Sequence, residues 1–300
     1  MQVFVTGATG YVGSHVAAAL RRAGHAVWGL TRSAAKARRL AEREIQPVIG
    51  DLADPKTYAD VAADCAVLVH AAYEWSADGV RKDELALQTL LETGGRGAAP
   101  KTLIFTSGVW VHGDTGAGMV DETTPLQPIP LVAWRPAHEQ RVLHATGVRG
   151  LVIRPGCLYG GAGGLTGDWF AGPSKGQPPQ IVGDGRNRWA MIHADDLGDA
   201  YVRAAESGLA GEVFAVADGS RATVLEMATA AAGAAGYAGE VRSVPLGEAR
   251  TKMGEFAVAL ALNQHVDARK AVRLLGWQPR HGGFLDEAPL YYQAWKASQD

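Results

Sequence analysis

The octet Thr6-Gly7-Ala8-Thr9-Gly10-Tyr11-Val12-Gly13 sets three glycines at fixed spacing between an apolar run, Gln2-Val3-Phe4-Val5, and a helical pattern. Glycine in such a turn lets the backbone bend tightly and come close to a phosphate. The helix start beyond it offers free N–H groups and a positive dipole end. The chemistry that suits this arrangement is the holding of a pyrophosphate. Groups of another kind stand further along: Ser107 after a second apolar run, then His112, Trp134, His138 and Tyr159. A hydroxyl can orient a reacting oxygen, and an imidazole can move a proton near neutral pH. The nine histidines show no HxxxH spacing and the two cysteines, Cys65 and Cys157, no CxxC, so neither a metal site nor a disulfide framework is expected.

Those residues need a frame, and strand and helix signals alternate to provide one. Residues 26–30, 47–49, 66–69, 102–106 and 150–154 read as strands, and 11–23, 34–44, 56–62, 83–92 and 136–146 as helices. Alternation of this kind predicts an α/β fold, a Rossmann-type doubly wound parallel sheet covered on both faces. Gly160-Gly161-Ala162-Gly163-Gly164 and Pro178-Pro179 then break the pattern. Regular elements resume with a helix at 195–207, a strand at 212–216 and a helix at 224–235. We expect a dinucleotide-binding domain over 1–158, rejoined by about 192–217. A smaller substrate-covering part would be made from 159–191 and 218–300.

Composition narrows the field. The chain has 300 residues, 47% hydrophobic and 20% charged, with a net charge of −2. That balance excludes nucleic acid and anionic membrane as main partners. No apolar run approaches the ~20 residues needed to span a bilayer. With a strand so near the first residue, no secretory leader is expected, and two unpaired cysteines suit a reducing cytoplasm.

Several short stretches sit where a doubly wound sheet gathers its ligands, at the carboxyl ends of strands. These are Gly50-Asp51-Leu52, His70-Ala71-Ala72, Thr106-Ser107-Gly108, Arg154-Pro155-Gly156, Ile192-His193-Ala194-Asp195-Asp196-Leu197 and Leu275-Gly276-Trp277-Gln278-Pro279. Together with the glycine turn they resemble the extended short-chain dehydrogenase/reductases, in the NAD-dependent epimerase/dehydratase-like branch, over nearly the whole chain. The resemblance implies that Gly7, Thr9, Gly10, Tyr11, Val12 and Gly13 hold the pyrophosphate. It likewise implies that Asp51 and Leu52 flank the adenine, that Ala71 and Ala72 line the cofactor, and that Pro155 and Gly156 border the nicotinamide.

The end of the second strand speaks to which dinucleotide. An NAD enzyme of this layout puts Asp or Glu there for the ribose hydroxyls. Here the strand runs into Thr31-Arg32-Ser33, with Lys36, Arg38 and Arg39 behind, and no acid before Glu42. A guanidinium suits a 2′-phosphate, so NADP(H) is expected over NAD(H). The alternative is a basic, solvated helix start.

The family's proton relay is a Ser or Thr, then a Tyr and, four residues on, a Lys. Ser107 is present, but no Tyr and no Lys occurs between Thr102 and Leu158. At the expected spacing stand Trp134 and His138, which we take as the substituted pair. Three readings stay open: an enzyme with a replaced acid, from His138, His112 or Tyr159; an enzyme whose substrate needs little protein acid; or an NADP-binding regulator without chemistry. Trp75, Trp110, Trp134, Trp169 and Trp189 are expected to wall one cleft and so favour an apolar or aromatic small molecule. His112, Tyr159 and Arg188 join that wall. In the resembled family the helices near 78–93 and 135–146 pair across a two-fold axis, and Leu85, Leu87, Leu90, Leu91, Val142 and Leu143 would supply the apolar surface of a homodimer.

Overall fold

The computed structural model describes residues 1–300 except Gly97, Ala98, Ala162 and Asp300, so that one residue of the glycine-rich loop at 160–164 lies outside the described residues. The first half alternates as its periodicity predicts. It runs through β1 (Gln2–Thr6), α1 (Tyr11–Arg22), β2 (Ala26–Thr31), α2 (Ala34–Ala41) and β3 (Gln46–Ile49), then a short helix α3 (Ala59–Ala63), β4 (Val67–His70), α4 (Gly79–Gly94), β5 (Lys101–Thr106) and α5 (Arg135–Leu143). Strand β6 (Val148–Pro155), helix α6 (Ala194–Glu206) and strand β7 (Glu212–Val216) complete the main layer. Seven strands join in the order β7-β6-β5-β4-β1-β2-β3, all neighbours parallel. The order reverses between β1 and β4, and a crevice opens there.

Both faces of the sheet are buried, and the alternation along each strand assigns side chains to them. Val3, Val5, Val67, Val69, Ile104, Leu151 and Ile153 pack under α1 and α6, in a core that includes Val16, Leu20, Leu197 and Tyr201. Phe4, Leu68, Leu103, Phe105 and Val152 face the other way, toward Leu87 and Leu90 of α4 and Val142 of α5. This last packing corrects the expected dimer surface. Leu87, Leu90 and Val142 are fully buried within one subunit, leaving Leu85, Leu91 and Leu143 half-buried. Each buried leucine stabilises the subunit by about 1.5–3 kcal/mol, and a partner could not share it without lifting α4 off the sheet.

A second core forms from the segment around 160–190 together with later residues. Tyr159, Trp169, Phe170, Trp189, Met191, Phe284 and Tyr291 fill it, with Trp169 stacked on Trp189 at 5.2 Å. Three short parallel strand pairs knit this region: Cys157–Tyr159 with Met191–His193, Gln180–Val182 with Arg242–Val244, and Met119–Val120 with His265–Val266. The tail does not stay in that part throughout. Ala271, Leu275 and Trp277 return to the main core, and the Trp277 indole N–H donates to the Asp196 carbonyl at 2.8 Å. No helix among the described residues is long and apolar enough to cross a membrane.

Candidate active site

At the carboxyl end of the sheet the crevice widens into a cleft of about 1200 Å³. Its floor is the glycine turn. Gly7 sits at φ +73°, and a Cβ there would lie 2.7 Å from the Ala71 carbonyl oxygen. A Cβ on Gly13 would lie 2.2 Å from the Gly7 carbonyl oxygen. A side chain at Gly7 would lift the turn off the β4 end and one at Gly13 would force α1 away from the turn, and either spoils the close approach that a pyrophosphate needs. Gly10 leads into α1 with no side-chain cap, so the helix's first N–H groups point to the cleft free. Gly7, Thr9, Gly10, Tyr11, Val12 and Gly13 all line it. The Tyr11 hydroxyl donates to the Gly160 carbonyl at 2.6 Å, and burial pushes its phenol above the ordinary range, with Asp195 adding to the effect.

Thr31, Arg32, Ser33 and Lys36 form one wall. The Ser33 hydroxyl caps α2 by accepting from the Lys36 N–H at 3.4 Å. An exposed Arg32 guanidinium lies 3.2 Å from the Glu74 carboxylate and 4.0 Å from that of Asp51. Asp51 and Leu52, Ala71 and Ala72, and Pro155 and Gly156 line the rest of this half. Every residue expected to touch a dinucleotide therefore faces one cavity, and small side chains over a tight glycine turn fit such a group.

Beneath the floor runs a buried polar chain. The Thr6 hydroxyl accepts from the Ala72 N–H at 3.3 Å and lies 2.7 Å from His70 Nδ1. His70 Nε2 is 3.3 Å from Asp83 Oδ1, and His138 Nδ1 is 2.9 Å from Asp83 Oδ2. Burial alone would raise the Asp83 carboxyl. The charge of His70, with hydrogen bonds from both histidines, overrides that and holds it well below the usual carboxylate range. His138 is thus a partner of Asp83 under the sheet edge and does not line the cleft. Nor does Trp134, which packs against the core with its indole N–H unpartnered among the described residues. The residues of this segment that do face the cleft at a spacing of four are Leu131 and Arg135. The expected pairing of Trp134 with His138 has the right interval in the wrong register. Arg135 donates to the Thr106 carbonyl at 2.7 Å and lies 4.6 Å over the Trp134 ring.

Ser107 lines the cleft, 5% exposed, with its hydroxyl unpartnered among the described residues. Next to it the cavity turns aromatic. Tyr73, Trp75, Trp110, Leu131, Met253 and Phe256 line this half. Trp75 meets Tyr73 edge-on at 4.9 Å and Phe256 at 6.2 Å, and Trp110 meets Phe256 at 6.1 Å. Tyr73, Arg135, Met253 and Phe256 escaped the sequence reading, the last two because they arrive on short helices, Leu246–Met253 and Glu255–Ala261, far along the chain. Cys157 also lines the cleft, its thiol pushed up to about 12 by burial.

Other expected wall residues lie elsewhere. His112 is buried beside Arg154, which approaches its Nε2 at 3.4 Å, and burial followed by the Arg154 charge lowers its pKa to about 4. Arg154 itself forms a buried two-pronged pair with Glu139, at 3.0 and 2.6 Å. Tyr159 and Trp169 belong to the second core, Tyr159 packed on Phe284 and Tyr291 and Trp169 on Trp189. Arg188 donates to the Arg221 carbonyl at 2.8 Å and bridges to Thr223, away from the cleft lining.

Known proteins share this frame. The chain is 29% identical over 261 residues, 83% of its length and 78% of theirs, to the 4-hydroxy-2-methyl-3-oxo-4-farnesyl-3,4-dihydroquinoline-1-oxide ketoreductase of Stigmatella aurantiaca. It is 29% identical over 314 residues, 95% of its length and 98% of the other's, to a 3-diazoavenalumate denitrifying reductase of a Streptomyces species. Its fold matches that of UDP-glucose 4-epimerase from Thermotoga maritima with a TM-score of 0.84 and 21% identity, over 100% of both chains. The model of the NAD dependent epimerase/dehydratase family matches residues 3–217, from the first strand through the last of the main sheet. By that match the chain belongs to the NAD-dependent epimerase/dehydratase family.

Proposed function

We propose that the protein is an NADP(H)-dependent oxidoreductase acting on a small apolar or aromatic molecule. The observation that carries this reading is the aromatic half of the cleft, which adjoins the glycine cradle and presents ring edges and faces. A flat apolar substrate gains contact there, whereas a sugar nucleotide would bring two phosphates against tryptophan and phenylalanine. Of the relatives named above, one is a ketoreductase of a dihydroquinoline-1-oxide and the other a 3-diazoavenalumate denitrifying reductase, names that agree with this choice. When bound, the dinucleotide supplies the hydride. Arg32, Thr31 and Ser33 would hold a 2′-phosphate, Gly10 to Gly13 the pyrophosphate, and the Ser107 hydroxyl would orient the reacting oxygen or nitrogen of the substrate.

The direct test follows NADPH oxidation by its absorbance with acetophenone and an azobenzene dye, and follows conversion of UDP-glucose in the presence of NADP⁺ by chromatography of the sugar nucleotides. Turnover of either aromatic compound with none of the sugar nucleotide is the expected result. Turnover of the sugar nucleotide alone would overturn it in favour of an epimerase or dehydratase. Tight NADPH binding without any turnover would favour a regulatory binding protein, a reading motivated by Leu131 standing where a phenol would face the cleft. We place the protein in the cytoplasm because both cysteines are buried and unpaired. A homodimer through the half-buried leucines of α4 and α5 completes the reading, and a monomer mass by light scattering at micromolar concentration would reject it.

A further inference from the structure

The segment leading into α5 puts no phenol in the cleft, but a phenol lines it from a different element. Leu131 faces the cleft without a hydroxyl, while Arg135, four residues on, supplies a permanent cation. Tyr73, from the loop between β4 and α4, lines the same cavity. Its ring stacks on Trp134 at 5.3 Å and 19°, and the Arg135 guanidinium lies 5.4 Å from its centre. The cleft's other phenol, Tyr11, is committed to the Gly160 carbonyl. We propose that Tyr73 is the proton-donating residue of this site and that Arg135 steadies the phenoxide it leaves. This rests on the oxidoreductase reading above and names the acid for it.

The surroundings of Tyr73 fit a donor. Burial, followed at a distance by the Asp83 carboxylate of α4, raises its phenol. The charge of Arg135 on α5 opposes that without cancelling it. Glu74, next in the chain, is held by Lys82 at 3.0 Å and by Arg32 at 3.2 Å. Tyr73 therefore keeps its proton at neutral pH and can release it only as negative charge develops beside it. During reduction of a ketone the hydride adds to the carbonyl carbon and the π pair moves to oxygen. That oxygen takes the Tyr73 proton. The O–H electron pair stays on Tyr73 Oη, the Arg135 charge 5.4 Å from the ring centre offsets the phenoxide, and solvent returns a proton through the mouth of the cleft, where Trp75 is 63% exposed.

A titration decides the pairing without any substrate. In the NADP⁺-loaded protein, the tyrosinate absorbance of the unaltered chain minus that of Tyr73→Phe should give one phenol transition. Its midpoint should rise by about one unit or more in Arg135→Met and move much less in Arg135→Lys, which keeps the charge. An unmoved midpoint in Arg135→Met overturns the proposal. In turnover, Tyr73→Phe keeps the ring stack, so NADPH affinity should stay within about twofold while kcat for acetophenone falls about a hundredfold or more. Unchanged kcat, or an NADPH affinity that falls along with it, overturns the proposal while leaving the oxidoreductase reading standing. Failure of the unaltered protein to bind NADPH overturns both.

Discussion

Replacing Arg32 by alanine removes the one guanidinium at the end of β2 that faces the cleft, and the geometry sets how much that should matter. Its NH1 lies 3.2 Å from the Glu74 carboxylate and 4.0 Å from that of Asp51, and its side chain is 62% exposed. Two unit charges about 4 Å apart interact by ~1 kcal/mol in bulk water and ~4 kcal/mol at an effective dielectric of 20. The exposure puts Arg32 near the lower figure, about 1.4 kcal/mol, or roughly tenfold in affinity. NADPH should therefore bind the unaltered protein about tenfold tighter than NADH, and Arg32→Ala should erase most of the gap. Glu74 competes for the same guanidinium and would repel a 2′-phosphate. Glu74→Gln should accordingly tighten NADPH several-fold and leave NADH unchanged. Isothermal titration calorimetry at low and physiological salt measures all three, and the gap should shrink as salt rises. Equal affinities in the unaltered protein would refute the assignment. An Arg32→Ala loss of the same size for both dinucleotides would show that the guanidinium reads a part common to them.

Three further outcomes follow from the geometry. Gly13→Ala drives a Cβ into the Gly7 carbonyl, so calorimetry should detect no NADPH binding although far-ultraviolet dichroism still reports a folded chain; retained binding would mean the turn relaxes freely. Glu139→Gln strands the buried Arg154 charge and should cost about 3–5 kcal/mol in urea unfolding at neutral pH, with a loss below 1 kcal/mol counting against a dry pair. His112 and His193 are lowered from 6.5 to about 4, burial being the largest cause in each. The unfolded chain therefore binds the extra protons, so stability is full above about pH 6.5 and falls toward pH 4, by about 2 kcal/mol for each histidine on reaching pH 4.5. Urea midpoints that do not move over that window would contradict it.

The cofactor half of the cleft was legible because its signals are local. A glycine turn between strand and helix, and short residues just past the ends of β4 and β6, carry their geometry within a few positions of sequence. The substrate half was not. Trp169 and Trp189 look like Trp75 and Trp110 in sequence, and only the packing of the second core assigns the first pair to each other. The interval of four in Trp134 and His138 recurs three residues earlier in Leu131 and Arg135. What separates the two is the rotation of α5 against the sheet, fixed by Val142 in the core and His138 on Asp83. Tyr73 carries no motif at all, since its place follows from a loop folding back onto α5. The sheet strands were placed to within two residues at each end, but the helices that carry Met253 and Phe256 had no periodicity long enough to read.

The chain of polar contacts from Ala72 through Thr6, His70 and Asp83 to His138 joins the ends of β1 and β4 to α4 and α5. It fixes the cradle from below, on side chains that never reach the cavity. With the acid proposed above, holding the dinucleotide and handling the proton would fall to separate hardware: the floor to the sheet, and the acid to a loop laid across it. In such an arrangement a proton donor on one segment can stand in for one on another while the cofactor stays seated, because the foundations of the cradle do not move with it.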